Sequence, residues 1–258
     1  MSELLTTDEL VAVMQAESAS LSDQAERVLP SDRVPTCPEW TVGQLLEHAG
    51  GVQRWATAIV AGARQRFPSP EEQAALFAPP ADDMVRWFLA GAARLAAVLR
   101  AAPADLQAVV FLPNATGARH FWARRQAHEV TIHRVDALSA RLGRLPSTAE
   151  ADIRTSVALD GIDELITGFV PRRSSRLRTD EPFSVVIRPN DADAAWTVRV
   201  SDQPPVVERG ADPEAHSVLT GSAAALYMGL WNRGDDVAEN GTVDALGHWR
   251  QQVRVSWS

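Results

Sequence analysis

The sequence predicts a bundle of four α-helices followed by a smaller α+β unit. Three observations carry this. Four segments in the first 145 or so residues read as long helices separated by proline-marked breaks. Capping boxes, a Ser or Thr followed three residues later by Glu or Gln, mark helix starts at Thr6/Glu9, Thr41/Gln44 and Ser147/Glu150. Beyond Pro146 the apolar period shortens to the alternation of strands.

Taken in order, the first helix begins at Thr6 and runs to about Leu29, where Pro30 and Pro35 stop it. The second follows Cys37-Pro38-Glu39-Trp40, is capped by Thr41 and continues to about Gln65, ahead of Pro68. The third opens after Pro79-Pro80 with Asp82 and Asp83 in its first turn, where carboxylates suit the helix dipole, and ends before Pro103. The fourth starts between Thr116 and Ala118 and runs to about Leu142, closed by Gly143 and Pro146. A helix from Ser147 to about Gly168 then introduces strands at 182–189, 195–201 and 204–210. An apolar helix from Ser222 to Trp231 and a strand at 252–257 complete the second unit. The domains are therefore expected at 1–146 and 147–258, joined through 143–150.

Composition excludes several functions. With 25 basic against 33 acidic residues the formal charge is -8, and no Lys/Arg stripe is present, so nucleic acid is not an expected partner. No apolar run reaches the ~20 residues that span a bilayer, and the acidic start MSELLTTDEL is not an export signal. A cytoplasmic protein is expected. The lone cysteine, Cys37, excludes a disulfide framework and any C-x-x-C pair, and reads as a small buried residue.

The segment AHEVTIHR (127–134) resembles a metalloprotease helix with faulty spacing. At about 100° per residue, His128 and His133 diverge by about 140° and cannot grip one ion. Glu129 and His133 are separated by only about 40° and share a face. His48 falls on the apolar seam Leu45, Val52, Trp55 and Ile59 of the second helix, and so is expected to be buried. A buried glutamate needs a cation, a proton or strong hydrogen bonds, and three inward polar groups are the material of a bundle-core metal site. The alternatives are a hydrogen-bonded core histidine at position 48 and an ordinary ion pair of Glu129 with Arg125. His120, His128, His216 and His248 read as structural or solvent-facing, and Trp55, Trp122 and Tyr227 as core.

Two stretches, VPTCPEWTVGQLLEHAGGVQRWA (34–56) and RRQAHEVTIHRVDA (124–137), carry a C-P-x-W-T loop, a histidine in the following helix and an E-x-x-x-H-R-x-D-A pattern. Together they resemble the mycothiol-dependent maleylpyruvate isomerase family, whose N-terminal half is a DinB-like metal-binding bundle. The resemblance extends over essentially the whole chain, since TGSAAALYMGLWNRGDDVAENGTVDALGHW (220–249) is similar to the family's C-terminal domain. It implies His48, Glu129 and His133 as ligands of a divalent metal, usually zinc, and Arg233 in Leu230-Trp231-Asn232-Arg233 as a catalytic residue facing the active site.

Two imidazoles and one carboxylate leave Zn²⁺ with open positions, as in catalytic rather than structural sites. The implied activity is attack of mycothiol, as a metal-bound thiolate, on a small electrophile, with isomerisation or S-transfer as the outcome. Arg125 or Asp136 would orient the ligands, and Arg233 would hold a substrate carboxylate. Two histidines and a carboxylate also suit non-haem iron and oxygen, and a non-catalytic small-molecule binding protein is the third reading.

Overall fold

The computed structural model describes residues 5–80, 83–113 and 115–253. The chain divides into two compact units, Leu5–Pro146 and the part from Ser147 onward.

In the first unit, α1 (Thr7–Ala25), α2 (Val42–Ala61), α4 (Met84–Ala101) and α5 (Ala118–Leu142) form a four-helix bundle. Neighbours around it are α1, α5, α2 and α4 in turn. The starts of α1 and α2 follow their capping boxes: Thr6 accepts from the Glu9 amide while Glu9 accepts from the Thr6 amide, and Thr41 and Gln44 do the same. Both helices stop about four residues before the expected ends. After α1 the Asp32 carboxylate accepts from the Leu29 amide, closing a turn that contains Pro30; Gly62 caps α2 and Ala63 takes φ 45°. At the start of α4, Asp83 is the left-handed N-cap residue, accepting from the Arg86 amide; Asp82 lies outside the described residues.

Two features of this unit, a hairpin and a short helix, were not expected from the sequence. A hairpin of β1 (Arg33–Val34) and β2 (Cys37–Thr41) sits between α1 and α2. The short α3 (Pro70–Leu76) starts with a fourth capping box, Ser69 and Glu72, and a proline in its first turn.

Helix α5 is the axis of this unit. Every residue from Arg125 to Ser139 is buried, not only those of one apolar stripe. Several of its polar groups are accommodated by pairing: Arg134 Nε donates to Glu17 at 2.6 Å and Thr131 Oγ1 to the Ala127 carbonyl at 2.7 Å. At its end Gly143 takes the left-handed conformation, φ 69°, which glycine adopts without steric cost.

In the second unit, the expected helix from Ser147 to Gly168 is interrupted. Its capping box is present, but α6 (Thr148–Ala151) ends at left-handed Asp152, φ 45°, and α7 (Thr155–Glu164) follows, continuing into a π-helical turn at Leu165–Phe169. The sheet has five strands in the order β5-β4-β3-β6-β7. These are β3 (Phe183–Pro189), β4 (Trp196–Val200), β5 (Val206–Arg209), β6 (Ser217–Gly221) and β7 (Ala238–Gly241). Only the β3–β6 pair is parallel, so the sheet is mixed. Helix α8 (Ala223–Leu230) starts at the Ser222 cap, and α9 (Ala245–Gln252) at Asp244, whose carboxylate accepts from the Gly247 amide. The strand expected at 252–257 is not seen where it is described: Gln252 ends α9 and Val253 caps it, and the remainder lies outside the described residues. Among the described residues no helix is long and apolar enough to cross a membrane.

Candidate metal centre

Helices α2 and α5 bring His48, Glu129 and His133 together, and one donor atom from each lies within 4.8 Å of the others. Glu129 Oε1 is the hinge of the group, 2.9 Å from His48 Nε2 and 3.2 Å from His133 Nε2. Ligand atoms held about 2.0–2.1 Å from a tetrahedral ion stand about 3.3 Å apart, so the two spacings to Glu129 Oε1 are close to those around a divalent cation of the zinc type. The donor set fits as well, being two imidazoles and one carboxylate. Side-chain exposures are 12% for His48, 7% for Glu129 and 8% for His133, so His48 is the least buried of the three. His48 is thus less deeply buried than its seam position suggested, because Leu45, Val52, Ala56 and Ile59 take the inner positions of α2.

Both alternatives weighed from the sequence coexist with this arrangement. His48 is hydrogen bonded, and Arg125 Nη2 donates to Glu129 Oε2 at 3.3 Å. Burial alone would raise the Glu129 pKa, but the neighbouring His133, His48 and Arg125 hold it well below the usual carboxylate range. Burial alone would likewise lower His133, yet hydrogen bonds to Asp136 and Glu129 raise its pKa to about 9. Without a cation, the cluster therefore holds a proton where a cation would sit.

Asp136 supports the group from behind. Its Oδ2 is 2.9 Å from His133 Nδ1, the usual placement of a carboxylate that fixes the tautomer and aim of a ligating imidazole. The same carboxylate accepts from Thr36 Oγ1 at 2.6 Å and from Cys37 Sγ at 3.6 Å. Thr36 also meets Ser139 Oγ at 2.9 Å. Cys37 is half-buried and serves Asp136, so its place is more specific than that of a small core residue.

An aromatic wall completes the site. Trp40 lies with its ring centroid 4.8 Å from His48 and 5.7 Å from His133, and Phe77 approaches His48 at 6.4 Å. A Cβ on Gly51 would come within 2.3 Å of the Phe77 ring, and one on Gly50 within 2.1 Å of Trp87, so only glycine lets these rings close on α2. Thr36, Cys37, Trp40 and Phe77 were not singled out for the site; only the C-P-x-W-T stretch hinted at two of them, Cys37 and Trp40.

The other histidines are structural. His128 is fully buried, His120 Nδ1 meets Thr7 Oγ1 at 3.1 Å, His216 Nδ1 accepts from the Ser184 amide at 3.1 Å, and His248 Nε2 lies 2.9 Å from the Arg178 carbonyl. Trp122 and Tyr227 belong to the core, and Trp55 stacks on Phe67 at 5.5 Å. Arg233 belongs to the second unit, in the turn after α8, half-buried with Nη1 donating to the Trp231 carbonyl at 2.8 Å.

A helical bundle with a His-Glu-His donor cluster, followed by a mixed-sheet unit, defines a class of two-unit proteins with a buried candidate metal site. Within that class the chain belongs to the mycothiol maleylpyruvate isomerase family: the model of that family's N-terminal domain matches residues 8–138, and that of the MDMPI C-terminal domain matches residues 156–249. Among solved structures it is similar to the crystal structure of the mycothiol-dependent maleylpyruvate isomerase, with 18% identity and a TM-score of 0.62 over 93% of this chain and 95% of that one. A mutant of that enzyme with one histidine replaced by alanine matches with 18% identity and a TM-score of 0.61 over the same shares. No match was found among curated proteins.

Proposed function

We propose that the protein is a metal-dependent enzyme that uses mycothiol against a small electrophilic substrate, as an isomerase or a thiol S-transferase. The observation that carries this reading is the placement of Glu129 Oε1 between two imidazole nitrogens in a bundle of this family. His48, Glu129 and His133 would hold the divalent cation, with zinc the best fit to the donor set. Once bound, such a cation supplies the positive charge that turns a thiol into a thiolate nucleophile near neutral pH.

The chain's own residues then do the positioning. Glu129 contributes the negative charge that balances the ion, and Asp136 keeps His133 Nδ1 protonated so that Nε2 is the donor. Arg125, 2% exposed, holds the second Glu129 oxygen and limits the carboxylate to one free edge. Trp40 and Phe77 keep water from the imidazole side. Arg233 is assigned to a carboxylate of the substrate, and Arg233→Met should raise KM for an anionic electrophile more than it lowers kcat. The reaction is assigned to the cytoplasm, where a low-molecular-weight thiol pool is kept reduced.

The test is elemental analysis of the purified protein beside His48→Ala and Glu129→Ala, each checked by circular dichroism, followed by turnover of an electrophile panel that includes maleylpyruvate. Near-stoichiometric zinc that disappears in the folded variants, together with mycothiol-dependent consumption, is expected. Folded wild type that takes up no metal, or metal-loaded protein inert toward the whole panel with mycothiol, would sink the proposal. Oxygen uptake by the iron-loaded protein would replace it.

A further inference from the structure

Trp40 stands on a strand held at both ends. Its neighbour Thr41 is the N-cap of α2, whose side chain accepts from the Gln44 amide. Four residues earlier, Thr36 donates to Asp136 on α5 and its own amide donates to Ser139 Oγ at 3.4 Å. The β1–β2 pairing, Arg33 with Thr41 and Val34 with Cys37, joins these anchors. The indole is therefore carried between the two helices that supply the donor cluster.

From that position it meets both imidazoles. The His133 ring is stacked on it at 27°, the His48 ring is tilted at 51°, and the two imidazoles stand edge to face at 78° with centroids 5.0 Å apart. One half-buried side chain thus limits the rotation of two rings that come from different helices. The face of an indole carries negative electrostatic potential, and it attracts a ring that bears positive charge. An imidazole that donates its lone pair to a divalent cation is such a ring.

We propose that Trp40 is a positioning residue for the cluster: its indole sets the planes of His48 and His133 and favours them in the cation-bound state. This rests on the metal reading above. If the role were only to fill space, an aliphatic side chain would serve nearly as well as an aromatic one. If the π face matters, phenylalanine should retain most of the effect and leucine should not.

The experiment titrates Co²⁺ into the apoprotein of wild type, Trp40→Phe and Trp40→Leu, reading visible absorption, tryptophan fluorescence and far-ultraviolet circular dichroism. In wild type, Co²⁺ bands appear with stoichiometric uptake, and Trp40 emission, obtained as the difference from Trp40→Phe, is quenched. Trp40→Phe should bind within about threefold of wild type, whereas Trp40→Leu should bind about three- to thirtyfold more weakly, with shifted bands. Equal affinities and superimposable bands in all three proteins would overturn the proposal while leaving the metal reading intact. Wild type without Co²⁺ uptake would remove the metal reading and this inference with it. If Trp40→Leu does not fold, the difference emission decides: an unquenched Trp40 component in Co²⁺-loaded wild type places the indole away from the ion and overturns the proposal.

Discussion

Each unit of this protein buries a carboxylate on a helix, and the two are stabilised in different ways. Asp163 on α7, 1% exposed, accepts from Arg209 Nε at 2.8 Å, Arg209 Nη2 at 2.9 Å and Trp196 Nε1 at 3.0 Å. These donors are a guanidinium in bidentate contact and an indole N–H, neither of which releases a proton in ordinary conditions. Glu129 on α5 has one guanidinium contact, at 3.3 Å, and turns its other oxygen to two imidazoles. Imidazoles exchange protons for metals readily. The contrast teaches that a carboxylate used to fasten a fold is given fixed donors, and one used to hold an exchangeable cation is given donors that can be vacated.

The strongest way to break that contrast is Glu129→Gln. The amide keeps the shape and one acceptor but removes the charge that balances the ion, so metal content should fall from near-stoichiometric to near zero and turnover with it. Retention of metal by the folded variant would show that the two histidines suffice, and Glu129 would then be no more special than Asp163. Asp136→Asn should do less. It leaves His133 an acceptor and Thr36 a partner, but weakens the donor strength of the ring, and a loss of about 10- to 100-fold in metal affinity is expected. Competition titration with a chromophoric chelator measures it; an unchanged affinity would reduce Asp136 to a fastening for the hairpin.

Metal removal sharpens the comparison through pH. In chelated protein, His133 has a folded pKa of about 9, above its ordinary 6.5, so its contribution to stability is present below about 6.5 and is lost as pH rises through 9. Glu129 is depressed below its ordinary 4.5, so its contribution is present above about 4.5 and is lost as pH falls. Urea midpoints of the metal-free protein should therefore decline between pH 6.5 and 9. Metal-loaded protein should lack that decline, because the cation replaces the proton on His133. Parallel profiles with and without chelator would show that proton and cation do not compete for this site.

Much of the bundle was legible because its determinants are local. Thr6/Glu9 and Thr41/Gln44 set helix starts by contacts three residues apart, and the four-residue spacing of Glu129 and His133 forces them onto one face. Periodicity placed His48 on the inward seam of its helix, but only the family motif distinguished a ligand there from a core histidine. What surrounds the triad was not legible, because it is assembled from afar: Thr36 reaches Asp136 across 100 residues, and Trp40 comes from a short strand that contains Pro38 and shows no apolar alternation. In the second unit, Ala238-Glu239-Asn240-Gly241 has no β-forming residue at all and is a strand only because β6 lies beside it. Helix α3 could have been read, since Ser69-Pro70-Glu71-Glu72 is a complete start signal.

The smallest effect on the cation should come from the other carboxylate, and it is informative for that reason. Asp163→Asn keeps the one oxygen that accepts from both Trp196 Nε1 and Arg209 Nε, but it loses the oxygen that accepts from Arg209 Nη2 and leaves the guanidinium without its countercharge. Arg209 is 51% exposed, so water can take over part of that role, and the expected cost is about 1–3 kcal/mol rather than the larger penalty of a fully buried broken pair. Equilibrium urea unfolding measures that loss, while metal stoichiometry and affinity are expected to match wild type. A destabilised variant with unchanged metal would show that the two carboxylates hold different cations for different ends. A variant with normal stability and impaired metal binding would reverse that assignment and make Asp163, rather than Glu129 alone, part of what governs the cluster.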